Sequence, residues 1–261
     1  MYRCSNCTIE TETYRMLCPA CSRWGTFYHV RADPKPAPAA SGPRRYSTGS
    51  AAIDSVLGGG LVKGALYLLG GDPGAGKSTL LLQIAILFSQ DRRAAYVTSE
   101  ETARMIQDRA GRVSSPEDSA ALAIAEHTDV DELIERFYGS HLFVDSLTML
   151  QTGKIKSGMG TPNQAKACVH ALMTYARETE RTVVMIGQVV KDGGFAGPKM
   201  VEHLVDCLLY LELIESGEGR RLAVKVKNRY GRSDLACELL MTETGFQDAG
   251  NEPVESGPAS A

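Results

Sequence analysis

Short apolar runs alternate with longer stretches of helical periodicity through most of this chain. The run Ala65-Leu66-Tyr67-Leu68-Leu69 has no polar position, the pattern of a strand buried on both faces. Leu80, Leu81, Ile84, Ala85, Leu87 and Phe88 then recur at helical spacing. Residues 94–98 predict a second strand, followed by a helix through about Arg109. Asp129 is placed to cap a helix carrying Leu133 and Ile134. Residues 141–146 predict an apolar strand ending in a carboxylate. Pro162 opens a long helix with Val169, Leu172, Met173 and Ala176 on one face. Residues 182–188 predict another buried strand, ending in an amide, and strand-like runs at 207–212, 221–226 and 236–241 close the series. Strands alternating with helices imply an α/β fold around a mostly parallel sheet. The expected large domain spans 46–247. It is preceded by a small module at 1–32 and an extended Pro-, Ala- and Ser-rich linker at 33–45, and followed by a disordered tail at 248–261.

Composition narrows the classes. The 261 residues suffice for one α/β domain and a small appendage. A net charge of −3 gives no global basic field, so any DNA contact must be local, as inside a ring. No apolar run is long enough to cross a membrane, and the start Met1-Tyr2-Arg3-Cys4 has no apolar signal-peptide core. A cytoplasmic location without a membrane partner is therefore expected. Of seven cysteines, four fall in two C-x-x-C pairs and three (Cys168, Cys207, Cys237) in apolar contexts, which suits a reducing compartment and a metal better than disulfides.

The pairs Cys4-x-x-Cys7 and Cys18-x-x-Cys21 can each form a tight knuckle, and two knuckles make a closed tetrahedral Zn²⁺ site. Such a site is structural and substitutes for a core that so short a module cannot build. A redox dithiol is the rival, but it needs one C-x-x-C on a βαβ scaffold. Trp24, Phe27 and Tyr28 follow and are expected to pack this module, with base stacking as the alternative. In the linker, Arg44 and Arg45 read as a solvated pair rather than a nucleic-acid contact.

Between the first apolar strand and its helix lies Gly71-Asp72-Pro73-Gly74-Ala75-Gly76-Lys77-Ser78, with Thr79 next. It fits the phosphate-loop pattern G-x-x-x-x-G-K-[ST] in the context that pattern needs. The glycines let backbone N–H groups and the helix N-terminus face a β-phosphate, Lys77 reaches the β and γ oxygens, and Ser78 offers a hydroxyl to Mg²⁺. ATP and Mg²⁺ are the expected cofactors. Asp145, at the C-terminal end of a buried strand, is the second candidate Mg²⁺ ligand. Glu100 is the candidate general base, and Glu101 fits a helix-start carboxylate better. Gln188 is placed to sense the γ-phosphate. In the glycine-rich stretch after it, Lys191 and Lys199 can meet DNA phosphates and Phe195 can stack on a base. Lys227 and Arg229, two residues apart on an extended segment, point to one side and suit a finger for a neighbouring subunit's γ-phosphate. Spacing alone leaves an exposed basic hairpin tip as the alternative.

From Cys4 to about Phe246 these residues resemble the RadA/Sms family of bacterial RecA-like DNA repair ATPases. The resemblance is carried by the paired-cysteine finger with its trailing Trp24, and by Leu57-Gly58-Gly59-Gly60-Leu61-Val62 ahead of GGDPGAGKSTLLLQ. It continues through YVTSEE, VDSLTML, GQVVKDGGFAGPKMVEHLVD and KNRYG at 227–231, close to the family's KNRFG. It implies a RecA-like core and a homohexameric ring on single-stranded or branched DNA. It also implies ATP-driven branch migration beside a recombinase partner, with Lys227 and Arg229 acting in trans. The family's C-terminal domain, similar to that of Lon protease, has no counterpart here. Gln188 stands where the family usually has His, and Tyr230 where it has Phe. A DNA-dependent motor is the leading expectation. A recombination mediator switched by ATP, and a KaiC-like regulatory ATPase suggested by Glu100-Glu101, are the competitors.

Overall fold

The computed structural model describes residues 2–13, 15–24, 26–29, 42–187, 199–214, 219–250 and 254–255. The chain divides into two compact units, Met1–Gly42 and Pro43–Ala261. In the first, β1 (Tyr2–Cys4) pairs antiparallel with β2 (Glu10–Thr11) and β3 (Phe27–His29). The side chain of Trp24 is 69% exposed, so it does not pack this unit as the sequence suggested. The module is held instead around its buried cysteines Cys4 and Cys18.

The second unit opens with β4 (Arg45–Tyr46), α1 (Ala51–Val56) and β5 (Leu61–Val62), β4 and β5 forming their own pair. Next come β6 (Leu66–Gly71), α2 (Lys77–Ser89), β7 (Ala94–Thr98), α3 (Ala103–Val113), α4 (Pro116–Ala120) and β8 (Ala123–Glu126). They lead to α5 (Val130–Arg136), β9 (His141–Asp145), α6 (Pro162–Thr179), β10 (Val183–Ile186) and α7 (Lys199–Leu204). The chain ends in β11 (Cys207–Leu213), β12 (Gly219–Asn228), β13 (Leu235–Thr242), β14 (Gly245–Asp248) and β15 (Val254–Glu255).

One sheet runs β14-β13-β12-β11-β6-β10-β9-β7-β8, with β15 beside β13. Pairing is parallel from β11 through β6, β10, β9 and β7 to β8. The strands from β12 onward are antiparallel. The two-residue period of a strand explains why β6 has no polar position: Leu66 and Leu68 face one core, Tyr67 and Leu69 the other. The core of Tyr67 and Leu69 is completed by α1, α2 and α3, and that of Leu66 and Leu68 by α5, α6 and α7. Helix α2 buries Leu80, Leu81, Leu82, Ile84, Ala85, Ile86 and Phe88, so its apolar positions wrap most of its circumference. Asp129 caps α5 by accepting from the Asp131 and Glu132 N–H groups, and Thr161 caps α6 just before Pro162.

Two edges of the large domain differ from expectation. The linker expected through 45 ends in strand β4, and Arg45 is not a solvated arginine. It donates to the carbonyls of Leu57 (2.8 Å), Gly60 (3.2 Å) and Tyr230 (2.6 Å), oxygens that the glycine turn at 58–60 and the turn at 230 leave without backbone partners. The tail expected from 248 onward is structured in part. Asp248 accepts from the Ser50 hydroxyl at 2.5 Å and from the Ala52 N–H at 3.2 Å, at the start of α1, and Val254–Glu255 pairs with β13. Among the described residues, no helix is long and apolar enough to cross a membrane.

Candidate active site

The loop between β6 and α2 is set by its glycines. Gly71 has φ +148°, and a Cβ there would lie 2.3 Å from the Leu211 carbonyl oxygen, so the loop leaves the sheet in close backbone contact with β11. Gly76 occupies the N-cap of α2 at φ +95°, with the Phe246 ring 2.9 Å from where a Cβ would stand. No side chain caps this helix, so its first N–H groups are free to meet an oxyanion. The Lys77 ammonium folds back onto the loop and donates to the Gly71 and Asp72 carbonyls, 2.9 Å each. Burial pulls its pKa below the usual lysine value, and Asp72, Asp145 and Glu100 pull the other way. The Asp72 carboxylate accepts from the Leu213 N–H at 3.1 Å and the Tyr210 hydroxyl at 3.3 Å, which ties the loop to β11.

Asp145 ends β9 and is 6% exposed. Burial raises its pKa, opposed by hydrogen bonds from the Ser78 and Tyr96 hydroxyls, the latter at 2.7 Å. A buried carboxylate hydrogen-bonded by two hydroxyls, without an ion pair among the described residues, is a fit for a hard divalent metal, with Ser78 as the second oxygen donor. The ends of β7 and β9 are laced together. The Ser99 N–H donates to the Asp145 carbonyl at 2.7 Å, and the Ser99 hydroxyl donates to the Ser146 carbonyl at 2.9 Å. The Ser146 hydroxyl donates to Glu100 and also meets the Thr148 hydroxyl at 2.7 Å. Glu101 turns elsewhere, to an ion pair with Arg109 at 2.7 Å, while Thr102 caps α3. Both glutamates act on Asp145, but only Glu100 of the two also faces Lys77, while Glu101 is neutralised by Arg109 of its own helix.

Lys77, Ser78, Asp145 and Glu100 thus meet at the C-terminal edge of the parallel strands. Ser146 and Tyr96 support them, and neither stood out in the sequence because a serine and a strand tyrosine carry no signal until the strand ends converge. Lys227 and Arg229 do not join this group. Lys227 donates to the Glu202 (3.2 Å) and His203 (2.6 Å) carbonyls at the end of α7. Arg229 pairs with Asp206 at 2.8 Å, and Asp206 also accepts from the Leu66 N–H, at the opposite end of β6 from Gly71. With β6 six residues long and about 3.3 Å per residue, the two ends lie about 16 Å apart. Gln188, Lys191 and Phe195 lie outside the described residues. Lys199 is the first residue of α7, with its side chain outside that description.

The four N-terminal cysteines converge separately. Their sulfurs lie within 4.8 Å of one another, with Cys4–Cys21 at 3.7 Å and Cys7–Cys18 at 3.5 Å. A disulfide needs about 2.05 Å, whereas tetrahedral ligands at a Zn–S distance of about 2.3 Å sit about 3.8 Å apart. The donor set fits one Zn²⁺ with no position left open.

A profile of the family described as AAA domain matches residues 38–194. Proteins named DNA repair protein RadA are similar over nearly the whole chain. That of Haemophilus influenzae is 34% identical across 96% of this chain and 59% of its own length. That of Mycobacterium tuberculosis is 37% identical across 92% and 54%, and that of Escherichia coli 31% across 95% and 59%. This chain therefore spans less than two thirds of these relatives. Among solved structures, the RadB recombinase superposes with a TM-score of 0.61 at 22% identity, covering 78% of this chain and 99% of its own. The KaiC-like protein PH0186 of Pyrococcus horikoshii gives 0.63 at 18%, covering 79% and 99%. Both likenesses speak to the RecA-like fold.

Proposed function

The chain belongs to the AAA domain family, and from that premise we propose that it is an ATPase of DNA recombination and repair whose turnover is coupled to single-stranded or branched DNA. The observation that carries this reading is the meeting of Lys77, Ser78, Asp145 and Glu100 at one sheet edge beside an uncapped helix N-terminus. In it the loop N–H groups at 71–78 and the start of α2 hold the phosphates. Lys77 exchanges the Gly71 and Asp72 carbonyls for β and γ oxygens. Ser78 and Asp145 hold Mg²⁺, which neutralises charge on the phosphate oxygens. Glu100, released from the Ser146 hydroxyl, orients the attacking water and takes its proton. Arg229 stands too far from its own loop to serve it, so a second copy's Arg229, with Lys227 beside it, stabilises the developing charge. This requires a homo-oligomer, and a hexameric ring satisfies it.

Gln188 relays the γ-phosphate to the stretch that follows, where Lys191, Phe195 and Lys199 contact single-stranded DNA. Cys4, Cys7, Cys18 and Cys21 hold a structural Zn²⁺. The test is phosphate release with and without single-stranded DNA, followed by strand displacement on a branched substrate. Turnover that rises with DNA and drives displacement supports a motor. Turnover indifferent to DNA contradicts the coupling, and stimulation without displacement favours a mediator switched by ATP.

A further inference from the structure

At the sheet edge opposite the phosphate loop lies a polar cleft of about 560 Å³. Six cations line it: Arg44, Arg45, Lys63, Arg92, Arg93 and Arg181. Only two carboxylates, Asp91 and Glu180, accompany them. Lys63 is taken up by Glu180 at 2.5 Å, Arg92 by Asp91 at 2.6 Å, and Arg45 by backbone carbonyls. Arg44, Arg93 and Arg181 have no carboxylate partner among the described residues. This concentration of charge stands on a chain whose net charge is −3.

The second observation comes from the floor of the cleft. His141 is 1% exposed, and its Nδ1 accepts from the Thr182 N–H at 3.0 Å, so the proton sits on Nε2. That Nε2 is buried without a partner, and so is Nε of Arg181. The imidazole cannot turn to find one, because Tyr46 and Phe88 meet it edge-to-face at 5.2 and 4.8 Å. Two buried donors without an acceptor, on His141 and Arg181, beside the guanidinium groups of Arg44 and Arg93, lack one thing: an oxyanion. Arginine forks match phosphate oxygens in particular, and the volume admits more than one such group. The aromatic rings here are already stacked on His141 and Arg92, leaving no platform on which a base could be read.

We propose that this cleft binds a run of phosphate groups, through Arg44, Arg93, Arg181 and the Nε2–H of His141, at a site distinct from the phosphate loop. Its source is either the backbone of a nucleic acid strand or the polyphosphate of a free nucleotide. The first source rests on the DNA-coupled function proposed above, and the second does not.

The experiment uses the full chain with Mg-ADP saturating the phosphate loop. The ¹⁵N resonances of His141, assigned with His141→Gln, are followed on adding either a short oligothymidylate or inorganic pyrophosphate. In parallel, oligothymidylate affinity is measured against salt for the wild type and for Arg93→Gln with Arg181→Gln. Arg93→Gln alone, at an exposed position, serves if the double variant does not fold. A nucleic acid source moves the Nε2 resonance with the oligonucleotide. In that case the double variant binds at least tenfold more weakly at low salt, its salt slope falls by about 1.4, and basal ATP turnover is retained. A nucleotide source moves the resonance with pyrophosphate alone and leaves DNA affinity unchanged. A wild type without DNA affinity contradicts the DNA-coupled function, while the pyrophosphate arm still tests the cleft. A His141 resonance unmoved by either probe, with affinity and slope unchanged, overturns the proposal.

Discussion

Arg229 donates to the Oδ1 of Asp206 at 2.8 Å, and the other oxygen of that buried carboxylate holds the Leu66 N–H at 3.0 Å. The finger is thus anchored to the start of the strand whose far end carries the phosphate loop. In the oligomer proposed above, β6 would thus link the ATP of one interface to the Arg229 of the other. Arg229→Ala is expected to lower turnover about 10³-fold or more, without weakening nucleotide binding by the same chain. Mixed with Lys77→Ala it restores part of the activity, because one interface then has both intact halves. The check is phosphate release across mixing ratios. A mixture no more active than its components places Arg229 outside the reaction.

Tyr96 gives Asp145 one of its two hydroxyl donors from within the core. Tyr96→Phe leaves that carboxylate under-satisfied, and the expected cost in stability is about 1–3 kcal/mol. Urea denaturation measures the loss. The Mg²⁺ concentration for half-maximal turnover is expected to move as well, since the orientation of Asp145 is loosened.

His141 gives stability a pH dependence. Burial, helped by Arg181 and Arg92, lowers its pKa from 6.5 to about 4. Between those values the unfolded chain binds a proton that the folded chain does not, so stability rises with pH. The contribution is full above about 6.5 and is lost as pH falls toward 4, about 3 kcal/mol in all. Urea midpoints at pH 7 and pH 5 in a phosphate-free buffer test this. The wild type is expected to lose more than His141→Gln, and equal losses contradict it.

How much was legible follows from where each signal resides. The central parallel strands showed through because they are buried on both faces, so 65–69 and 142–144 carry no polar interruption, whereas the half-exposed edge strand β8 did not. The glycine loop is a local motif, and Lys77 and Ser78 were visible in it. Glu100 and Asp145 could be picked as strand-end carboxylates. Their separation from Glu101 depends on Arg109, a residue whose position the sequence does not show. Arg45 and Trp24 went the other way from expectation because exposure is decided by long-range partners: Tyr230 is 185 positions from Arg45. The His141 cleft was silent in sequence, since its cations come from four separate segments.

The cysteine geometry predicts one Zn²⁺ per chain. Cys4→Ser or Cys18→Ser is expected to abolish stoichiometric zinc, whereas Cys168→Ser leaves it intact because that thiol is on α6, buried in the core of the large unit. Metal analysis of the purified variants decides it.

The central claim is that the sheet edge bearing Lys77, Ser78, Asp145 and Glu100 hydrolyses ATP. The most direct measurement is single-turnover hydrolysis beside equilibrium nucleotide binding for Glu100→Gln and Glu101→Gln. The account predicts that Glu100→Gln binds ATP as the wild type does but hydrolyses it about 10²- to 10⁴-fold more slowly, while Glu101→Gln retains most of the rate. Wild-type hydrolysis by Glu100→Gln, or a stall confined to Glu101→Gln, would contradict it.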